Sequence, residues 1–212
     1  MRKLIFAFTL IFLLISKHST SQSFTQVEDI KALEILLLET SKKTNSIISD
    51  FIQEKHLDFI DEKITSKGKF WLRDENSLRW EYTEPFSHII IIHDGKFITK
   101  DDSGKFTSYD ISSNQVFKEV NNLIVSSARG DLMADGKFEV TAFESQNTYL
   151  LKLIPKDPQV KQVISETELY FDKKSLTVSK VIMIENEKDY TVISFVNREI
   201  NAQIPDSTFV TN

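Results

Sequence analysis

GKFWLRDENSLRWEYTEP, residues 68–85, is the stretch that decides how this chain is read. Within it Leu78, Trp80 and Tyr82 alternate with Arg79, Glu81 and Thr83. That two-residue period belongs to a strand with one apolar face and one wet face. Pro85 has no N–H to give a neighbouring strand, so the ladder is expected to stop there. The apolar face is made of rings and leucine and holds no catalytic group. A broad greasy surface of this kind suits binding better than chemistry.

Downstream, FSHIIIIH at 86–93 is almost continuously apolar, which predicts a strand covered on both faces. Asp94-Gly95 then supplies two residues that tolerate positive φ, the requirement of a tight hairpin turn. KFITK and KFTSYD are expected to pair across Asp102-Ser103-Gly104. Upstream, SKG at 66–68 reads as a turn, and Phe51, Leu57 and Phe59 share one parity of a preceding strand. From about Val27 to Ile48 the period changes. Ile30, Leu33, Leu37, Thr44 and Ile47 recur at threes and fours with no Gly or Pro between them, which predicts a helix.

A second helical pattern follows Asn114. Val116, Phe117, Val120, Leu123 and Ile124 share one face, with Asn114 as N-cap and Gly130 as stop. Strands resume at 137–144, 148–154, 166–172, 177–185 and 190–198, with a brief helical turn between Asp157 and Ile164. The tally is about ten or eleven strands in up-and-down succession with two amphipathic helices. A long antiparallel sheet curls because its strands twist, and one face of the curl must be hidden. The fold class expected is mainly β with α: a strongly curved antiparallel sheet whose concave face the helices cover.

Composition narrows the function. Arg2 and Lys3 precede an apolar run from Leu4 to Ile15, then a polar SKHSTSQS. The run is short of the roughly 20 residues a membrane helix needs. It fits a secretory signal over residues 1–21, leaving a single domain at 22–212 and a soluble protein in the periplasm. There is no cysteine, so neither a disulfide nor lipid attachment through Cys is available. Losing residues 1–21 would remove three cations and no acid, carrying the formal charge from −5 to −8. An acidic chain is ill suited to nucleic acid or to anionic lipid headgroups. Sixteen phenylalanines against five glycines and four prolines leave little room for linkers.

Read in order, these features resemble the LolA family, the periplasmic carriers of outer-membrane lipoproteins in Gram-negative bacteria. Matching the family are an N-terminal helix, F-x-Q at Phe51 and Gln53, and G-K-F-W-L at 68–72. After these come the L-R-W-E-Y-x-x-P hallmark at 78–85, D-G-K at 94–96 and the mid-chain helix. L-Y-F-D at 169–172 and N-x-x-I-P at 201–205 close the match. The resemblance implies an incomplete barrel with an apolar, helix-capped hollow. It also implies a cycle of receiving acyl chains from an inner-membrane releasing complex and passing them to an outer-membrane acceptor. One departure stands out. Family members commonly carry a basic residue before a proline in the loop after the G-x-F-W strand, implicated in latching the lid; here Asp74 and Glu75 stand in those places. Arg73 lies one position earlier, on the opposite strand parity, so the latch is not assigned to it.

On this reading Phe70, Leu78, Trp80, Tyr82, Ile90 and Ile92 wall an acyl-binding cavity, and Val116, Phe117, Val120 and Ile124 form the inner face of a lid. Each is also a residue that an ordinary core buries. Enzymatic motifs are absent: there is no G-x-S-x-G, H-E-x-x-H or phosphate-cradling glycine loop. His88 and His93, five apart, fall on opposite faces of one strand and do not suit a metal. The expectation is a monomeric carrier with no catalytic activity, cofactor, metal or nucleic-acid partner. Alternative cargoes are another lipid or lipid-linked amphiphile, or a protein segment seated in the curved sheet.

Overall fold

The computed structural model describes residues 23–73, 77–100, 103–110 and 136–211. Its strands are β1 (Thr25–Gln26), β2 (Ser46–Leu57), β3 (Ile60–Arg73), β4 (Ser77–Glu84), β5 (His88–His93) and β6 (Lys96–Lys100). The remainder are β7 (Phe106–Asp110), β8 (Phe138–Glu144), β9 (Thr148–Pro155), β10 (Glu166–Asp172), β11 (Val178–Ile184) and β12 (Tyr190–Ile200). They form one sheet in the order β1-β8-β9-β10-β11-β12-β2-β3-β4-β5-β6-β7. Every neighbouring pair is antiparallel. The β1 and β7 edges do not meet, so the curved sheet is an incomplete barrel.

Connectivity dictates where the first helix goes. The chain leaves β1 at one edge and re-enters the sheet at β2, in the middle of the strand order. Helix α1 (Ile30–Lys43) makes that passage, and Leu33 and Leu37 are buried in the same cluster as the inward side chains of the sheet. Asp29 caps its start by accepting from the Ala32 N–H at 2.9 Å. The other α-helix among the described residues, α2 (Pro158–Lys161), is a single turn capped by Asp157, at the brief helical turn the sequence predicts there.

Two hydrophobic layers result. The inner one joins α1 to Phe51, Phe70, Leu72, Leu78, Trp80 and Ile92, and continues through Leu151, Leu153, Leu169, Phe171 and Ile193. The outer one is smaller. A C-terminal segment ending in a 3-10 turn (Asp206–Phe209) packs Ile204 and Phe209 on Ile89 and Ile91, against Ile48, Trp71 and Ile98. The near-continuous apolar character of β5 follows, since Ile90 and Ile92 serve the inner layer while Ile89 and Ile91 serve the outer. Asp94 and Gly95 take φ of 47° and 73° in the β5–β6 hairpin, as that dipeptide predicts.

Two expectations need correction. The helix ends at Lys43, and Ile47 and Ile48 belong to β2, although Ile47 continues the helical spacing. Asn201 fixes this end: its side chain accepts from the Asn45 N–H at 2.7 Å and donates to the Lys43 carbonyl at 3.0 Å. The SKG at 66–68 is no turn; β3 runs straight through it, and the reversal falls instead at Asp58–Phe59. Phe59 therefore leaves the parity of Phe51 and stands 80% exposed, beyond an irregularity between Lys55 and Leu57. Among the described residues the strands number twelve, and β1 is a two-residue strand that pairs with Phe143 and Glu144.

Candidate functional site

The register of β3, β4 and β5 assembles the candidate wall residues. Phe70 lies opposite Trp80 and Gly68 opposite Tyr82, while on the other side Ile90 pairs with Trp80 and Ile92 with Leu78. Side chains on one face of an antiparallel sheet meet across the strands, so all six expected positions share the inner face. Phe70, Leu78, Trp80 and Ile92 are buried; Tyr82 and Ile90 are half-buried.

Trp80 is the centre of an aromatic floor. Its ring lies 4.8 Å from Phe51, 5.2 Å from Phe70 and 6.0 Å from Phe195, and Phe51 also meets Tyr82 edge-on at 5.1 Å. Such offset and edge contacts are the favourable arrangements for rings. Phe51, Phe195, Leu33 and Leu37 were not among the expected wall residues. Phe51 carried a usable signal, since it heads the F-x-Q motif. Phe195 comes from β12, far along the chain, and pairs directly with Phe51. Gln53 completes the motif by accepting from the Tyr82 hydroxyl at 2.9 Å. Burial raises the Tyr82 pKa above the usual phenol value, opposed by the contacts with Gln53 and Trp80.

Two polar atoms on this face are buried without a hydrogen-bond partner: the Trp80 indole nitrogen and the Thr167 hydroxyl. Thr167 lies between Leu153 and Met183, both part of the inner layer. Val116, Phe117, Val120 and Ile124, expected to form the lid, lie outside the described residues.

The outer face has different chemistry. Arg73 donates to the Ile204 carbonyl at 3.0 Å and to Asp206 at 2.5 Å, with its guanidinium 4.9 Å from the Phe209 ring. It is thus turned away from the inner face, as its parity requires. Arg79 donates to Glu81 at 2.9 Å and to the Thr208 carbonyl at 3.2 Å. Trp71, Arg79, Glu81, Lys100, Phe106 and Thr208 border an open cleft of about 480 Å³ there. Its arginine is already engaged by Glu81, and Lys100 lies over the Phe106 ring at 5.0 Å.

The histidines separate as expected: His88 lies beside Tyr82 at 6.3 Å, and His93 stacks on Phe209 at 5.8 Å. Among the described residues no group of three or more His, Asp or Glu is placed to hold a metal ion. Nor is any helix among them long and apolar enough to cross a membrane.

The solved structures similar to this chain share little sequence with it. An uncharacterised conserved protein from Thermus thermophilus superposes with a TM-score of 0.51 at 8% identity, over 82% of this chain and 91% of that one. A LolA superfamily protein from Nitrosomonas europaea gives 0.44 at 10% identity, over 84% and 97%. A chain of the Pseudomonas aeruginosa MucA/MucB complex gives 0.49 at 11% identity, over 85% of this chain; the match spans only 60% of the length of that one. At 8% identity the likeness to the Thermus protein concerns the fold alone. Among curated proteins none matches the sequence. The family model described as outer membrane lipoprotein carrier protein LolA matches residues 42–212, and the chain belongs to the LolA family.

Proposed function

We propose that the protein is an exported carrier that shelters the acyl chains of lipoproteins between the inner and outer membranes. The observation that carries this reading is the aromatic floor around Trp80, continuous with the leucines of α1 on the inner face of an open sheet. Burying a methylene contributes about 0.8 kcal/mol, so a chain of roughly 15 methylenes gains on the order of 12 kcal/mol on leaving water. A carrier must offer nearly that much apolar contact, or the cargo returns to the nearest bilayer. It must not offer much more, or release stalls. An apolar face that helices cover when no cargo is bound answers both needs, because uncovering it offsets part of what cargo burial returns.

A second cargo class, another lipid or lipid-linked amphiphile, is favoured by one observation. The residue nearest the family's latch position, Arg73, is committed to the C-terminal segment on the outer face. Asp74 and Glu75 stand where the family carries its basic residue and proline, and the cargo need not follow the family.

Native mass spectrometry of protein taken from the periplasm tests both. A lipoprotein adduct supports the first reading and a free lipid the second; an empty protein that captures one polypeptide overturns both. Ile90→Gln, at a half-buried inner position opposite Trp80, is expected to reduce loading several-fold while leaving the fold intact.

A further inference from the structure

Trp80 does something phenylalanine could not. Its side chain is only 7% exposed, its ring is held by Phe51, Phe70 and Phe195, and its indole N–H has no hydrogen-bond partner. A buried donor left unpaired is costly, and such a group calls for a specific explanation. A phenylalanine would place a smaller ring among these aromatics without that cost. The Tyr82 oxygen is close enough for the indole to favour its ionised form, yet the pair falls outside hydrogen-bonding geometry. Thr167, the other unpaired group on this face, can rotate its hydroxyl and act as donor or acceptor. An indole N–H can only donate, in a direction fixed by the ring.

We infer that the Trp80 indole N–H is a ligand contact, donating to a carbonyl oxygen at the head of a bound acyl chain, so that the inner face selects acyl esters or amides over plain alkyl chains. The inference rests on the carrier reading and adds to it the chemical class recognised. No bond is made or broken; an unpaired donor acquires an acceptor that hydrocarbon lacks. The surrounding rings exclude water, which makes the contact more discriminating than it would be at the surface. It also sets the depth at which the chain lies, with the carbonyl at Trp80 and the methylenes beyond it among the inner-layer side chains.

The test uses two soluble lipids that differ in the carbonyl alone: 1-palmitoyl lysophosphatidylcholine, an ester, and 1-hexadecyl lysophosphatidylcholine, its ether counterpart. Binding to the full chain is measured by calorimetry, and the two indole N–H signals, from Trp71 and Trp80, are followed by NMR. The wild type is expected to bind the ester about tenfold more tightly than the ether, the size of one well-placed hydrogen bond to a buried donor. The Trp80 indole proton should move downfield with the ester only, and Trp80→Phe should make the two lipids equal. Equal binding in the wild type, or an indole proton that responds to both lipids alike, overturns the inference while leaving the carrier reading in place. Failure of both lipids to bind overturns the carrier reading and the inference with it. The NMR measurement needs no variant, so it decides even if Trp80→Phe does not fold.

Discussion

The ring of Phe51 fills the space that a side chain at residue 68 would need. A β-carbon built on Gly68 would stand 2.7 Å from two carbons of that ring and 1.9 Å from the Glu81 carbonyl oxygen. The two residues are direct partners in the β2–β3 ladder, and the β3–β4 register slips at the same place. Glycine is required here by a close approach of backbone and ring, and its φ is not in question. Gly68→Ala is therefore expected to lower stability by about 3 kcal/mol, the upper range for overpacking a tight site. Trimming the ring should not restore it, because the closer obstruction is backbone. A double variant Phe51→Leu/Gly68→Ala that regained wild-type stability in urea would refute this account.

That contact also shows why part of the fold was legible in the sequence and part was not. The alternation of Leu78, Trp80 and Tyr82, the stop at Pro85 and the Asp94-Gly95 turn are local facts, and each element came out where they placed it. Ser-Lys-Gly has the composition of a turn, whereas the need for glycine at 68 comes from the Glu81 carbonyl and the Phe51 ring, both on other strands. The helix stops short of its sequence period for a similar reason. Ile47 keeps the helical period, and what ends the helix is Asn201, 156 residues beyond Asn45. Likewise the expected wall positions come together on one face because they lie on adjacent strands. Phe195 escaped because β12 reaches β2 only through the sheet order.

Asn201 gives the next prediction. It takes a φ of 60°, a left-handed conformation that asparagine tolerates better than most residues, while holding the Lys43 carbonyl and the Asn45 N–H. Asn201→Gly should lose about 2 kcal/mol for the two hydrogen bonds. Asn201→Ala should lose about 1 kcal/mol more, for placing a β-carbon in the left-handed region. Thermal unfolding of the pair separates the two contributions, and equal losses would mean that backbone strain plays no part.

Arg73 and Asp206 form an ion pair, but the two ends are not equal. Asp206 is 87% exposed, so its charge contributes little. Arg73 also binds the Ile204 carbonyl and lies against Phe209, which is buried. Asp206→Asn should change stability by less than about 0.5 kcal/mol. Arg73→Met should cost about 1–2 kcal/mol and speed amide exchange at Thr208–Val210. If Asp206→Asn loosened the segment as much as Arg73→Met, the pair and not the carbonyl contact would be holding it.

A charged cluster on the outer face of β9, β10 and β11 makes stability depend on acid. Lys152 donates to Glu168 at 2.6 Å and to Glu166 at 3.1 Å, and Tyr170 donates to Glu168 at 2.6 Å. Burial pushes the Glu168 pKa up, since its side chain is only 12% exposed, but the hydrogen bonds from Lys152 and Tyr170 and the lysine's charge outweigh it. The folded pKa therefore lies below the ordinary glutamate value of 4.5. A carboxylate lowered on folding binds fewer protons in the native state, so its stabilisation is complete above 4.5 and fades as pH falls toward the folded value. Lys152 is raised, chiefly by the same hydrogen bond from the other side, so its share persists below 10.5 and is lost only in strong alkali. Between those limits the cluster is fully formed. Glu168→Gln should cost about 1–2 kcal/mol at pH 7, and the gap from wild type should narrow steadily as pH drops below 4.5. Urea midpoints at pH 7, 4 and 3 measure it. A gap that stayed constant across that range would show that Glu168 contributes through packing and not through its charge.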